Sequence, residues 1–344
     1  MKVAILSYPM LFQSAGGLQI QILETVAALQ RRGVDARLVN PVQERLSDFD
    51  LTHVFAILNG NQRAVEWAAA QRKPIVLSPL LRPNWTANFA KRAALGDWIV
   101  SRLTGWEVKS EYRHLKSGIS QATRCVALGT IEKQCLREAF GVPESRCDVI
   151  PNGIPSRFFS ADPKPFLEKF GLQPGFVLCA ASINSHKNQL GLVKAVAPLG
   201  IPVVLAGHCQ PIDEAYLAAA KSFPNVHYVG SLPYDGPLLA SAYAAAGVFC
   251  LPSMSEVMPL TVMEALAAGT PAVMTKHHCM DLQGMSKIVA EVEPTDADQI
   301  RNAIRQLLAN APSGAACSSA VEHLTWDAVA TQLQRTYKAA LGAR

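Results

Sequence analysis

Two glutamates eight residues apart, Glu256 and Glu264, stand across the stretch 251–275, LPSMSEVMPLTVMEALAAGTPAVMT. Paired carboxylates can act as general acid and base, the equipment of a glycoside hydrolase. Glu264 lies in a strongly apolar run, where an unpaired charge is costly to bury. Between the two, Pro259 precedes Leu260 and Thr261. If a helix begins there, the amides of Leu260 and Thr261 lack intrahelical acceptors. They then form a ready site for an anion such as a diphosphate.

The elements that must position these groups are legible in the same stretch. Pro259 suits the first helical position, because its missing N–H would be unpaired there anyway. The apolar run from 260 to 268 predicts a buried helix. Gly269 suits a left-handed position just past its end, and Pro271 forbids continuation. Ala272, Val273 and Met274 then start a strand. Glu256 therefore falls in the loop before the helix, and Glu264 more than a turn into it.

Glu256, Glu264, Ala265, Ala267, Gly269, Pro271 and Val273 together resemble the signature of the retaining glycosyltransferases of family four. The resemblance implies an α/β protein with the GT-B fold: two Rossmann-like domains facing a central cleft. It implies that both glutamates face a nucleotide sugar and that the amides between them hold its diphosphate. A second family segment, G-R-x-x-x-x-K-(N/G), corresponds to Ala181-Ser182-Ile183-Asn184-Ser185-His186-Lys187-Asn188. Lys187 matches, and Ser182 stands where the family has arginine, leaving His186 or Arg157 to substitute. On this reading Lys187 and Glu256 are catalytic. Glu264, Leu260, Thr261, Ser182, Ser231 and Leu232 bind the donor. Gly16, Gly17 and Asn152 lie near the reaction centre. A histidine that many members place after the strand ending at Ser78 is replaced by Pro79-Leu80-Leu81-Arg82. Pro155 stands where the family's P-N-G-(I/V)-D has aspartate.

The rest of the chain accommodates two such domains. At 344 residues it is long for a single core, and 49% hydrophobic with 17% charged residues is a globular composition. Residues 1–9 read as a strand cut by Pro9, not a signal peptide. Strand, Gly16-Gly17 loop, helix and strand then make a βαβ unit. The expected domains are 1–155, with a returning helix in 326–344, and 176–325. A Pro- and Phe-rich linker is expected at 156–175. Eight cysteines without a C-x-x-C pair predict reduced thiols in the cytoplasm. No apolar run reaches the roughly 20 residues of a membrane span.

Residues 82–124 are unusual. They hold eight Lys/Arg against three acids, a surplus of five equal to the +5 of the whole chain. Leu95, Trp98, Ile99, Leu103 and Trp106 recur there at helical spacing, flanked by Lys91, Arg92 and Arg102. Such a stripe either lies in the core or meets anionic lipid at the inner face of the membrane.

The function these features imply is retaining transfer of a sugar from a UDP- or GDP-type donor. The expected acceptor is a glycan or polyprenyl-linked glycan, in bacterial polysaccharide or lipopolysaccharide synthesis. The scheme requires no metal or cofactor, and a modest net charge gives no reason to expect nucleic acid. A glycoside hydrolase and a non-catalytic nucleotide-sugar-binding subunit are the other classes open to this sequence.

Overall fold

The computed structural model describes residues 1–13, 16–58, 60–105 and 108–343. The first half of the chain alternates strands and helices in the order β1 (Lys2–Leu6), α1 (Gly17–Arg31), β2 (Asp35–Leu38), β3 (Leu51–Phe55), α2 (Gln62–Ala70), β4 (Ile75–Ser78), α3 (Ala87–Leu103), α4 (Glu111–Gln121), β5 (Arg124–Ala127), α5 (Thr130–Phe140) and β6 (Cys147–Val149). The second half follows as α6 (Lys164–Phe170), β7 (Val177–Ala180), α7 (Gln189–Val196), β8 (Val203–Ala206), α8 (Glu214–Lys221), β9 (Val226–Gly230), α9 (Pro237–Ala245), β10 (Val248–Leu251), α10 (Leu260–Ala267), β11 (Ala272–Thr275), β12 (Val289–Val292), α11 (Ala297–Ala309), α12 (Gly314–Val321) and α13 (Trp326–Gly342).

These elements form two compact units. The first holds residues 1–153 and 279–281 and the chain from Trp326 onward; the second holds 154–278 and 282–325. Each is built on a six-stranded sheet, ordered β2-β1-β3-β4-β5-β6 in the first and β12-β11-β10-β7-β8-β9 in the second. All pairings are parallel. Parallel sheets covered on both faces demand strands that are apolar throughout. β4, β7, β8, β10 and β11 are accordingly buried at every position. Both units are the doubly wound α/β type that the βαβ pattern predicts.

In each sheet the strand order reverses beside its first strand. In the second unit β7 lies between β8 and β10, so loops after β7 and β10 leave the sheet side by side. That crevice is where open α/β sheets bind ligands.

Residues 156–175, expected as a linker, are folded into the second unit. Phe158 and Phe166 are fully buried. The Phe166 amide donates to Ser241 Oγ of α9 at 2.9 Å. In the first unit α13 packs on α1, with Arg31 paired to Asp327 at 2.9 Å. Among the described residues no helix is long and apolar enough to cross a membrane. All eight cysteines are free.

Candidate nucleotide-sugar site

The stretch singled out by its glutamates folds as its sequence suggests, with one shift. Pro259 caps α10 instead of beginning it: its φ of −71° and ψ of 119° are extended, and Leu260 is the first helical residue. No side chain caps this end. Gly269 takes the left-handed conformation at φ +87°. A Cβ there would also come within 3.1 Å of Gly314, where α12 begins.

The loop after β7 is strapped to the loop after β10. His186 O accepts from the Met254 amide at 2.8 Å. His186 Nε2 donates to Ser255 O at 3.0 Å. Asn188 sits in the left-handed region at φ +57°, which asparagine tolerates better than most residues. From there its side chain donates to Pro252 O at 3.2 Å and Pro294 O at 2.7 Å. The Glu256 amide in turn donates to His277 O at 2.9 Å, tying in the loop after β11.

These straps bring Lys187 Nζ within 2.7 Å of Glu256 Oε1. The lysine side chain is 25% exposed and the glutamate 12%, so the pair is partly desolvated but open to a ligand. It stands at the switch point of the second sheet, in the same loop that leads to the start of α10. Glu264 is set differently. It is 2% exposed, and the Tyr243 hydroxyl donates to its Oε2 at 3.0 Å. Burial first, and the neighbouring Glu264 charge second, push Tyr243 far above the ordinary phenol range. The phenol therefore stays a proton donor to the carboxylate.

The remaining expected residues fall in several places. Ser182 lies just past β7, and its carbonyl accepts from Gln189 Nε2 at 2.9 Å. Of its two suggested substitutes, His186 serves the loop strap. Arg157 lies over the rings of Phe158 and Tyr234, at 4.9 and 4.5 Å, and donates to Tyr234 O at 2.9 Å. Ser231, exposed, and Leu232 follow Gly230 at the end of β9, two strands from β7.

Gly16, Gly17 and Asn152 belong to the first unit. Gly16 caps α1 in extended backbone, with φ −174°, so no left-handed turn demands glycine. A Cβ there would meet nothing within 4 Å. Asn152 is 4% exposed. Where the family has its histidine, Leu80 adopts φ +58°. Glu132 holds this loop, accepting from the amides of Leu81 and Leu128, each at 2.7 Å.

Sequence reasoning missed Tyr243 and His277, and quoted Asn188 in a motif without giving it a role. Each acts through a partner distant in sequence, and a tyrosine in an apolar helix carries no local sign of its partner. Among the described residues no three His, Cys, Asp or Glu side chains cluster as metal ligands.

The family model described as "Glycosyl transferases group 1" matches residues 174–310, which contain Lys187, Glu256 and Glu264. Residues 174–310 are thus similar to the group 1, family-four-like glycosyltransferases. One curated relative, D-inositol 3-phosphate glycosyltransferase of Nocardia farcinica, is 28% identical over 258 residues, 71% of this chain and 54% of that protein. The chain thus spans about half the length of that relative. Among solved structures, sucrose-phosphate synthase from Thermosynechococcus elongatus matches with TM-score 0.77 at 19% identity, covering 100% of both chains. Anabaena HepE, solved in complex with UDP, matches with TM-score 0.72 at 17% identity over 98% of this chain and 100% of that one. At these identities the structural likeness establishes the GT-B fold.

Proposed function

We propose that this chain transfers a sugar, with retention of anomeric configuration, from a nucleoside-diphosphate sugar to a glycan or lipid-linked glycan acceptor. We infer a place in bacterial polysaccharide or lipopolysaccharide synthesis, in the cytoplasm. The observation that carries the reading is the Lys187–Glu256 pair at the switch point, beside the uncapped start of α10.

The reaction breaks a C1–O–phosphate bond, and charge builds on the leaving diphosphate. Fixed donors aimed at that charge stabilise the transition state without reorganising. Lys187 and the amides of Leu260 and Thr261 are the donors, and Glu256 takes the hydroxyls of the transferred sugar. Glu264 accepts from the ribose. With serine at 182, the diphosphate grip falls on Lys187 and the helix start. A hydrolase reading needs both carboxyls at one scissile bond, whereas Glu256 is paired with Lys187 and Glu264 with Tyr243.

Isothermal calorimetry with UDP and GDP, followed by transfer assays with their sugar conjugates, tests the proposal. Binding of one nucleotide and sugar transfer by the purified chain alone is the expected result. Nucleotide binding without transfer would identify a non-catalytic subunit instead.

A further inference from the structure

Helix α3 is turned inside out. Its inward positions are Ala90, Asp97 and Ser101, exposed by only 4%, 6% and 0%. Its outward positions include Leu95 at 60%, Trp98 at 51%, Ile99 at 44% and Leu103 at 81%. Leu95, Trp98, Ile99 and Leu103 follow the i, i+3, i+4, i+8 spacing of one helical face. The sequence left open whether this stripe was core, and the structure puts it on the surface. Trp106 lies outside the described residues.

The inward polar face explains the orientation. Asp97 accepts from Ser110 Oγ at 2.7 Å and Arg113 Nε at 2.8 Å, which fastens α3 to the start of α4. A carboxylate fixed in that way cannot rotate to solvent without losing both partners. The apolar side is therefore held outward by the polar one.

Charge decides what covers it. Lys91, Arg92 and Arg102 are exposed on α3, and the only acid of the helix is the buried Asp97. Arg102 lies over the Trp98 ring at 5.7 Å. From Lys91 to Leu103 the exposed positions are apolar, cationic or glycine. Their polar side chains are all donors, with no acceptor among them to specify a neutral or basic protein partner. A second copy docked α3 to α3 would set these cations against their own counterparts with no exposed acid on the helix to pair them. An anionic lipid surface suits every feature. Apolar side chains enter the acyl boundary, tryptophan sits at headgroup depth, and lysine and arginine reach the phosphates.

We propose that the outward face of α3 docks this chain on anionic lipid headgroups, with the helix lying in the plane of the interface. The inference is independent of the sugar-transfer reading. The test is sedimentation of the full chain with phosphatidylglycerol–phosphatidylcholine vesicles and with phosphatidylcholine alone. Binding to the anionic vesicles only, released by high salt, is expected. The Lys91→Glu/Arg92→Glu and Trp98→Ser/Leu103→Ser variants should each weaken it by about tenfold or more. Both change exposed side chains, so melting temperatures should stay at the wild-type value, which separates lost docking from lost folding. Equal partition into both vesicle types would overturn the proposal, as would none to either. So would concentration-dependent self-association in sedimentation velocity that the Trp98→Ser/Leu103→Ser variant abolishes.

Discussion

Glu256 and Glu264 are chemically identical, yet their surroundings differ. Glu256 pairs with Lys187 in a loop, and Glu264 is held by Tyr243 inside a helix. A hydrogen bond to a charged group contributes roughly 1.5–3 kcal/mol, about a 10- to 150-fold change in an equilibrium constant. Glu264→Ala should weaken binding of the bare nucleoside diphosphate by about that factor. Glu256→Ala should leave that binding nearly unchanged and lower turnover, since the bare nucleotide carries no sugar. Calorimetry beside transfer rates checks both, and equal affinity losses would refute the division. Tyr243→Phe removes only the hydroxyl that orients Glu264. It should lower affinity for UDP or GDP, whichever binds, several-fold, and leave affinity for the 2′,3′-dideoxy analogue unchanged. If the wild-type protein does not distinguish the two nucleotides, Glu264 does not bind ribose. If it does and Tyr243→Phe keeps the full distinction, the tyrosine is merely structural.

At the scale of elements, the loops around the site depend on two backbone positions. Asn188 combines a left-handed φ of +57° with hydrogen bonds to Pro252 and Pro294. Asn188→Ala should cost about 2–4 kcal/mol, from lost hydrogen bonds and a strained backbone. Asn188→Gly should recover about 1 kcal/mol of that, because glycine takes positive φ without strain. Urea titrations of the two variants give the comparison, and equal costs would show that the backbone is unstrained. Gly207, at φ +156°, leaves no room for a Cβ, which would lie 1.9 Å from Ala181 O. Gly207→Ala should therefore force β7 and β8 apart at their carboxyl ends. Loss of stability together with nucleotide affinity is expected, and unchanged affinity in a destabilised protein would place the distortion elsewhere.

Two buried groups of the first unit contribute opposing slopes to the pH response of the whole molecule. His53 lies between Tyr337 Oη at 2.7 Å and Ser78 Oγ at 2.9 Å, and burial lowers its pKa to about 3. Burial raises Glu132 to about 7, against the pull of the Leu128, Leu81 and Leu80 amides. The ordinary values are 6.5 for histidine and 4.5 for glutamate. Between pH 3 and 6.5 the unfolded state binds the extra proton at His53, so stability rises with pH. Between 4.5 and 7 the folded state binds it at Glu132, so stability falls with pH. Each slope is about 1.4 kcal/mol per unit, and the two oppose each other from 4.5 to 6.5. The loss due to this pair should thus be concentrated below pH 4.5. Glu132→Gln should extend the histidine slope up to pH 6.5. Unfolding free energies across this range are the measurement, and an unchanged profile in the variant would contradict the assignment.

The local geometry around Glu256 and Glu264 was legible because short-range physics governs it. An apolar run, a left-handed glycine and a proline stop act within a few residues, and α10, Gly269 and β11 follow from them. The one-residue shift at Pro259 is of the size that capping leaves open. The doubly wound units were legible too, from apolar strands alternating with helices. The Lys187–Glu256 pair rests on more, since 69 residues separate its members and the β7–β10 pairing brings their loops together. A Pro- and Phe-rich stretch at 156–175 did not show that Phe158 and Phe166 have a core to enter. Helical periodicity in α3 gave the spacing of its apolar face but not its direction. A moment is a property of one helix, whereas inside and outside are defined by its neighbours. Here the bonds of the buried Asp97 to Ser110 and Arg113, made only in the tertiary structure, turn leucine and tryptophan outward.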